Sequence, residues 1–515
     1  MTDLDRRSFL KTGAAVAAGT GVLGGPFAGY LAAPAVAGKG RDTQNALRDV
    51  PDLRDEVVRL ALPDGFQYRS FQQSRRGAPG PNVELDDGAL LPGRHDGMGA
   101  FEGTISPVTL VRNHEENFSA TNGAAAGENT PVYDSAALGG TSTVHISLDG
   151  VVEHSIMSLA GTQMNCSGGR MPWGSWVTCE ETVNGYDVGD DFNRNSINNP
   201  PGEPAMPAGS DPFEYIQNAR LQKIHGFIFE VPAHGEASAE PIKNAGRFAH
   251  EAVAFDPKGG SLYLTEDNFA FPSGFYRYDP PSNPMQTGSL ADGGTLWMLK
   301  VKGTDNADLA RSQPAGATYA VEWVPIETPW FDFGRPVGPD AEHSNDEAIN
   351  FVGSQGRELG AAGFSRLEGA VYDHGWVFWT STQGGGAAMT VPFDQVGGWG
   401  RGRGQIWGLD LRAQTLHMLY ESPGAEILDF PDNVTTSARG TLIVCEDGNN
   451  PPGRNFLRGL TRKGELFDIA ENRINLSDEF AGATFSPDGE TLFVNIQQTT
   501  GMSFAIWGPW GRIGV

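Results

Sequence analysis

A thiol stands directly beside two carboxylates at Cys179-Glu180-Glu181, within the stretch 165–184. The run 173–178 before it is aromatic and β-branched and follows several glycines, which predicts a strand entered through a turn. We therefore expect Cys179 at a strand exit. A thiolate with adjacent carboxylates suits a transition metal with a hard cation nearby. The alternative is a buried free cysteine beside two solvated acids.

Only three cysteines occur in the chain, Cys166, Cys179 and Cys445. They do not form the even, dense set that is typical of a disulfide framework. A single Cys166–Cys179 bridge remains an alternative. A thiolate held by a metal would also explain an unpaired cysteine.

The composition bounds the architecture and the partners. The 515 residues include 69 Gly and 34 Pro without a collagen-like period, which indicates short strands joined by tight turns, and 28 Phe supply a core. The net charge of -26 argues against a nucleic-acid partner. It fits multivalent cations better, although an acidic surface kept for solubility is the alternative.

The N-terminus has the pattern of an export signal. Arg6-Arg7 is followed by a weakly apolar Ala- and Gly-rich run and then by Ala35-Val36-Ala37. We predict a twin-arginine signal over residues 1–37, cleaved after Ala37 and recognised by the twin-arginine export machinery. The protein is then periplasmic or secreted, and no later run of about 20 apolar residues predicts stable membrane insertion.

A diverged hairpin repeat follows the signal. Its copies pair 251–255 with 262–267, 368–372 with 377–380, 433–436 with 442–447, and 481–485 with 492–497, and the stretch that ends at Cys179 fits as another. Repeated antiparallel hairpins predict an all-β fold, one β-propeller of five or six blades with elaborated loops over residues 38–515. The segment 186–222 is expected to be an inserted loop, and 52–60 a helix-compatible covering segment.

The hairpins bring acidic residues together. In an antiparallel hairpin the start of the first strand lies beside the end of the second, so Glu251 should neighbour Asp267, and Asn433 should neighbour Glu446. If the hairpins surround an axis, these ends converge on one rim. Many carboxylates there would repel one another unless cations neutralised them, which predicts a multimetal site. Separate acidic strand ends in solvent are the alternative.

At these residues the chain resembles the PhoX family of exported, calcium-dependent bacterial alkaline phosphatases, from about residue 60 to the C-terminus. The motifs that carry the resemblance are NHEE at 113–116, NCSGG at 165–169, CEET at 179–182, GRFAHE at 246–251, TED at 265–267, RLEG at 366–369, PDN at 431–433, CEDG at 445–448 and FAGATFSPDG at 480–489. The resemblance implies a propeller that holds ferric iron (Fe3+) and calcium (Ca2+), with iron bound partly by a thiolate, and that hydrolyses phosphate monoesters.

The resemblance also implies roles for individual residues. The catalytic candidates are Cys179, Arg366, Glu251 and Glu368, with Arg366 holding phosphate and the other three holding cluster metals. Glu180, Asp267 and Glu446 would be calcium ligands. Ser167 and Leu367 depart from the family pattern without removing a ligand.

The chemistry is consistent with the residues themselves. Clustered metals polarise a phosphate and activate water, and an arginine near them can donate two hydrogen bonds to phosphate oxygens. A structural ion pair is the alternative for Arg366, and a packed histidine is the alternative for His250 as an outer-shell group. The rival functions are a calcium-dependent propeller lactonase or esterase, and a non-catalytic binding propeller stabilised by metals. We expect a monomer that acts on small phosphate esters.

Overall fold

The computed structural model describes residues 46–74, 82–116, 124–189, 218–334, 342–386, 400, 402–448, 453–474, 478–498 and 500–515. The predicted signal and most of the predicted loop 186–222 lie outside these ranges. Within them, no helix has the length and apolar character needed to cross a membrane.

The described residues fold mainly into strands. In chain order these are β1 (Arg48–Pro51), β2 (Val58–Leu62), β3 (Gln67–Phe71), β4 (His95–Glu102), β5 (Val108–His114), β6 (Gly139–Ile146), β7 (Val152–Thr162), β8 (Asn165–Met171), β9 (Ser175–Glu180), β10 (Ile228–Pro232), β11 (His250–Phe255), β12 (Leu262–Glu266) and β13 (Phe275–Asp279). The series continues with β14 (Thr295–Val301), β15 (Thr318–Ile326), β16 (Leu367–Asp373), β17 (Trp376–Ser381), β18 (Gln405–Asp410), β19 (Thr415–Glu421), β20 (Pro431–Thr436), β21 (Leu442–Glu446), β22 (Phe456–Leu460), β23 (Leu466–Asn472), β24 (Glu479–Phe485), β25 (Thr491–Gln497) and β26 (Met502–Trp507). The α-helices are α1 (Pro284–Thr287), α2 (Asn345–Glu358) and α3 (Trp510–Ile513).

The strands form five sheets. Their orders are β4-β5-β6-β7, β10-β9-β8, β11-β12-β13-β14-β15-β19-β18-β17-β16, β1-β2-β23-β22-β21-β20 and β24-β25-β26-β3. Strand β15 pairs with both β14 and β19, and this joins two groups of strands into the nine-stranded sheet.

Six strands, which we call the ring strands, contact one another in a closed series. The ring strands are β4, β8, β11, β16, β20 and β24, and the last of them contacts the first. The sheets extend outward from this series, so the prediction of an all-β, propeller-like fold is confirmed. The number of blades stays a prediction.

The predicted hairpins are present. The five copies of the repeat are β8–β9, β11–β12, β16–β17, β20–β21 and β24–β25, all antiparallel. Glycines in the left-handed conformation allow the tight turns, as at Gly375 (φ 86°) and Gly440 (φ 75°). Large aromatic side chains pack between the two groups of strands of the nine-stranded sheet, where Phe275 on β13 stacks on Trp379 on β17 with their ring centroids 3.9 Å apart.

The segment 52–60 is not helical, and this part of the prediction is wrong. Strands β1 and β2 pair with each other, and β2 also pairs with β23. Leu60 and Leu62 are fully buried in the core beside Ile469, so burial against a distant strand outweighs the local helix tendency.

Candidate metal centre

Each ring strand contains a β-bulge, where an advance of three residues along the ring strand matches an advance of two residues along its partner strand. The two residues at the bulges are Asp96-Gly97, Cys166-Ser167, Glu251-Ala252, Glu368-Gly369, Asp432-Asn433 and Gly482-Ala483. A bulge changes the direction in which a side chain points. In five of the six strands, the first bulge residue carries a side chain that can bind a metal.

The bulge residues converge. The Cys166 sulfur and carboxylate oxygens of Glu181 and Glu251 lie within 4.8 Å of one another. Oxygens of Glu251, Glu368 and Asp432 form a second such group. Glu251 belongs to both groups, and its carboxylate therefore has the position of a ligand shared between two neighbouring cations.

More acidic residues surround these two groups, and several of them occupy the same place in their hairpins as Glu181. Glu115, Glu181, Asp267 and Asp447 each follow the second strand of a hairpin directly, at the end where its bulge lies. Burial and neighbouring carboxylates raise the pKa well above its usual value for Asp96, Glu181, Glu251, Glu368, Asp432 and Glu479. A bound cation would reverse this effect, because it favours the ionised form.

The donor set fits metal ions. Oδ1 of Asp96 is buried and has no hydrogen-bond partner in the described part of the chain, while its Oδ2 accepts a hydrogen bond of 2.7 Å from Gln497. Burial and the nearby Glu251 raise the pKa of the Cys166 thiol, so ionising it requires a nearby cation. Carboxylates suit hard cations and a thiolate suits a transition metal, so this cluster could hold both.

Arg366 lies beside this cluster. Its Nε and Nη2 donate hydrogen bonds of 3.0 and 2.7 Å to the two oxygens of Asp267, and Nη2 lies 3.1 Å from an oxygen of Glu368. Its backbone is left-handed (φ 42°), a strained conformation outside glycine. Nη1 has no partner among the described residues, and 11% of the side chain is exposed.

Sequence comparison identifies the family of this chain. The model of the alkaline phosphatase PhoX family matches residues 47–500. The chain belongs to the PhoX alkaline phosphatase family. A twin-arginine translocation signal matches residues 3–22, so this phosphatase is exported to the periplasm or beyond. A search of curated proteins finds no significant match.

The PhoX-family chain resembles, in fold, a solved structure with a TM-score above 0.5. Pseudomonas fluorescens PhoX in complex with vanadate, a transition-state analogue, is 16% identical with a TM-score of 0.59, and the match covers 92% of this chain and 99% of that one. A Xanthomonas campestris gluconolactonase is 11% identical (91% and 99% covered, TM-score 0.34). A Synechocystis apocarotenoid oxygenase is 12% identical (83% and 74% covered, TM-score 0.33).

Cys179 belongs to neither of the two ligand groups of this PhoX-family site. Cys179 lies on β9, the second strand of its hairpin, and is fully buried in the hydrophobic cluster that contains Val177 and Ile228. Burial and the adjacent Glu180 raise the pKa of its thiol. All three cysteines of the chain are free, so Cys166 and Cys179 do not form a disulfide.

Glu180 and Glu446 likewise point away from the ligand groups. Glu180 accepts hydrogen bonds from three backbone N–H groups and from His225 Nδ1 at 2.6 Å. Glu446 accepts from Arg458 at 2.8 Å and from two backbone N–H groups. Both carboxylates therefore tie loops to strand ends, whereas the next residues, Glu181 and Asp447, face the cluster.

The structure brings four predicted residues together: Glu251, Glu368, Asp267 and Arg366. It adds Cys166, Glu181 and Asp432 to the two groups, with Asp96, Glu115, Asp447 and Glu479 around them. The alternation of inward and outward side chains along a strand could not identify these residues, because a bulge shifts the inward and outward positions by one residue. One usable signal is a residue that can bind a metal, followed by a small residue, at the start of a first strand, as in Asp96-Gly97, Cys166-Ser167 and Glu368-Gly369.

The histidines near the site are packed or hydrogen-bonded. The ring of His250 stacks on Phe248 with centroids 3.6 Å apart, and burial lowers its pKa to about 3. His114 is buried, with its two ring nitrogens beside Gly93 O and Ser142 Oγ. Both arrangements are those of packed, structural histidines, which is the alternative given above for His250.

Proposed function

We propose that this PhoX-family phosphatase hydrolyses phosphate monoesters at a cluster of ferric iron and calcium ions. The observation that carries the proposal is the shared position of Glu251 between a group with a thiol and a group of carboxylates only. A softer site and a harder site that share one ligand suit two different metals side by side.

The proposed ligands follow from the two groups. The thiolate of Cys166, in place of Cys179, would hold iron together with Glu181 and Glu251. Glu368 and Asp432 would complete the neighbouring site. Five outer carboxylates would hold calcium: Asp96, Glu115, Asp267, Asp447 and Glu479. Asp447 would take the place of Glu446, and Glu181 rather than Glu180 would face the metals.

The metal ions would offset charge on the phosphoryl oxygens and lower the pKa of bound water. The protein would contribute orientation. Asp267 accepts two hydrogen bonds from Arg366 and so holds the plane of the guanidinium group. Nη1 of Arg366 can therefore donate to phosphate without a rearrangement of the arginine side chain. Glu181 and Asp432 are partly exposed, so the cluster is open to substrate on their side.

The vanadate complex of Pseudomonas fluorescens PhoX supports a phosphoryl-transfer site in the shared fold. We further propose that the signal covers residues 1–37, that residues 38–515 form one propeller, and that the protein acts as a monomer. The closed series of six ring strands supports a six-bladed count within the predicted range.

Metal analysis tests the proposal. The purified protein should contain both iron and calcium, show a visible thiolate-to-iron absorption band, and hydrolyse 4-nitrophenyl phosphate with a maximum at alkaline pH. Chelation should abolish activity, calcium should restore it after mild chelation, and zinc should not. Full activity after exhaustive removal of both metals would refute the metal assignment.

A further inference from the structure

Phe269 is an exposed aromatic residue beside the arginine of the site. It lies two residues after Asp267, and 36% of its surface is exposed. The guanidinium carbon of Arg366 lies 4.0 Å from the centroid of its ring. This distance is that of a cation–π contact, so one face of the ring covers the arginine.

The loop that carries Phe269 is held firmly in place. The side-chain oxygen of Asn268 accepts hydrogen bonds from the backbone N–H groups of Ala270 and Phe271, at 3.0 and 2.9 Å. The Asn268 side chain also donates to buried Glu266, which accepts a second hydrogen bond from Gly274 N. The exposed ring is thus presented by an ordered loop.

The end of the loop is tied to the rest of the molecule. Ser273 and Phe364 exchange backbone hydrogen bonds, both of 3.0 Å, and Arg357 donates to the carbonyl of Pro272. The loop is therefore anchored at this end as well, and these anchors keep the ring of Phe269 beside Arg366.

We propose that Phe269 contacts the leaving group of the phosphate ester and favours planar aromatic esters over small polar ones. The inference rests on the proposed function, because it requires phosphate at Arg366. With the phosphoryl group at Nη1, the first atoms of the ester group come within reach of the ring that covers the same guanidinium. A planar group can stack on this ring, whereas a glycerol group cannot.

Two substrates test the inference. For Phe269→Ala we expect kcat/KM on phenyl phosphate to fall about five- to tenfold, mainly through KM, because the stacking contact is lost. On glycerol 3-phosphate, kcat/KM should change less than about twofold. Phe269→Tyr should retain the preference for the aromatic substrate.

Phe331→Ala is the matched control. Phe331 is another exposed phenylalanine (46%), and its ring packs on Phe333 and Phe351 rather than on Arg366. Its replacement should leave the ratio between the two substrates unchanged. Equal loss on both substrates in Phe269→Ala, or no loss on either, would overturn the inference.

Binding separates this inference from the proposed function. Phenylphosphonate should bind the parent protein more tightly than methylphosphonate, and Phe269→Ala should reduce the difference, as measured by calorimetry. If the parent turns over no monoester but shows this binding pattern, the proposed reaction fails and the inference stands. If the parent hydrolyses both esters and binds both phosphonates equally, only the inference fails.

Discussion

The two cysteines of the β8–β9 hairpin have different surroundings. The sulfur of Cys166 lies within 4.8 Å of carboxylate oxygens of Glu181 and Glu251. Cys179 packs with Val177 and Ile228 in a hydrophobic cluster that also includes Cys166, but Cys179 belongs to neither ligand group. Because both thiols are buried and belong to one hairpin, they form a matched pair for testing which of them binds metal.

We expect Cys166→Ser to lose iron and the visible absorption band, and to lower kcat at least about a hundredfold, because a ligand of a charge-stabilising metal is removed. Cys179→Ser should keep its iron and most of its activity. It should lower the free energy of unfolding by roughly 1–3 kcal/mol, since a hydroxyl enters an apolar core.

Metal content, absorption spectra and denaturant unfolding of both variants provide the measurements. If Cys179→Ser folds but loses iron while Cys166→Ser retains it, the thiolate assignment made from the sequence is correct and the one proposed from the structure is not.

At the scale of elements, the hairpins could be predicted and the bulges could not. Apolar runs around Gly and Asp-Gly turns mark the strand pairs, and local chemistry determines these turns. A bulge adds one residue, and nothing in the alternation of Asn165 to Gly169 marks where it lies. The sequence therefore predicts ligands at Glu180 and Glu446, whereas the residues that face the cluster in the structure are the next ones, Glu181 and Asp447.

Small residues after the ligand residues let the ring strands approach one another. A Cβ atom on Gly369 would lie 2.5 Å from the backbone nitrogen of Val434 on the neighbouring ring strand. A Cβ on Gly97 would lie 2.6 Å from the Cα of Ser167. These neighbours are backbone atoms, so a larger residue must push the strands apart.

We expect Gly369→Ala to lower the free energy of unfolding by roughly 1–3 kcal/mol, because β16 and β20 must separate. The same shift would move Glu368 relative to Asp432, so metal content and kcat/KM should fall as well. Denaturant unfolding and metal analysis measure the two effects.

Gly424→Ala provides the control. The atoms nearest to a Cβ there would be the end of the flexible Glu426 side chain, at 3.1 Å. It should behave like the parent. Parent-like stability and metal content in Gly369→Ala would show that the ring tolerates a wider spacing.

For the whole molecule, the sequence repeat predicts the hairpins but not which distant strands pair to complete each sheet. Strand β3 pairs with β26, where Phe71 lies opposite Ser503, and β2 pairs with β23. Such pairs join residues more than 400 positions apart. Neither β-propensity nor turn chemistry carries information about partners at this distance, so the sequence predicts only a covering role for the segment 52–60.

The clustered carboxylates make the stability of the metal-free protein depend on pH. Asp96, Glu181, Glu251, Glu368 and Asp432 have folded-state pKa values well above their usual values, because of burial and mutual repulsion. The folded state then binds more protons than the unfolded state above about pH 4, so stability is full below this pH and is lost as pH rises.

We therefore expect the free energy of unfolding of metal-stripped protein, and with it the Tm, to fall as pH rises from about 5 to 8. The free energy should fall by up to about 1.4 kcal/mol per pH unit for each proton of difference. Protein reloaded with iron and calcium should lack this part of the decline, because cations favour the ionised carboxylates. Calorimetric scans of the two forms across this range provide the measurement.

His225 adds a decline in stability with rising pH that the metal-loaded and the metal-stripped protein share. Although burial alone would lower it, Glu180 and Asp134 raise the pKa of His225 to about 9, so its contribution is lost as pH rises toward that value. The difference in Tm between the loaded and stripped forms removes this shared part and isolates the cluster. A difference that stays constant or shrinks as pH rises would mean that the carboxylates are not neutralised by bound cations, and the multimetal site would have to be abandoned.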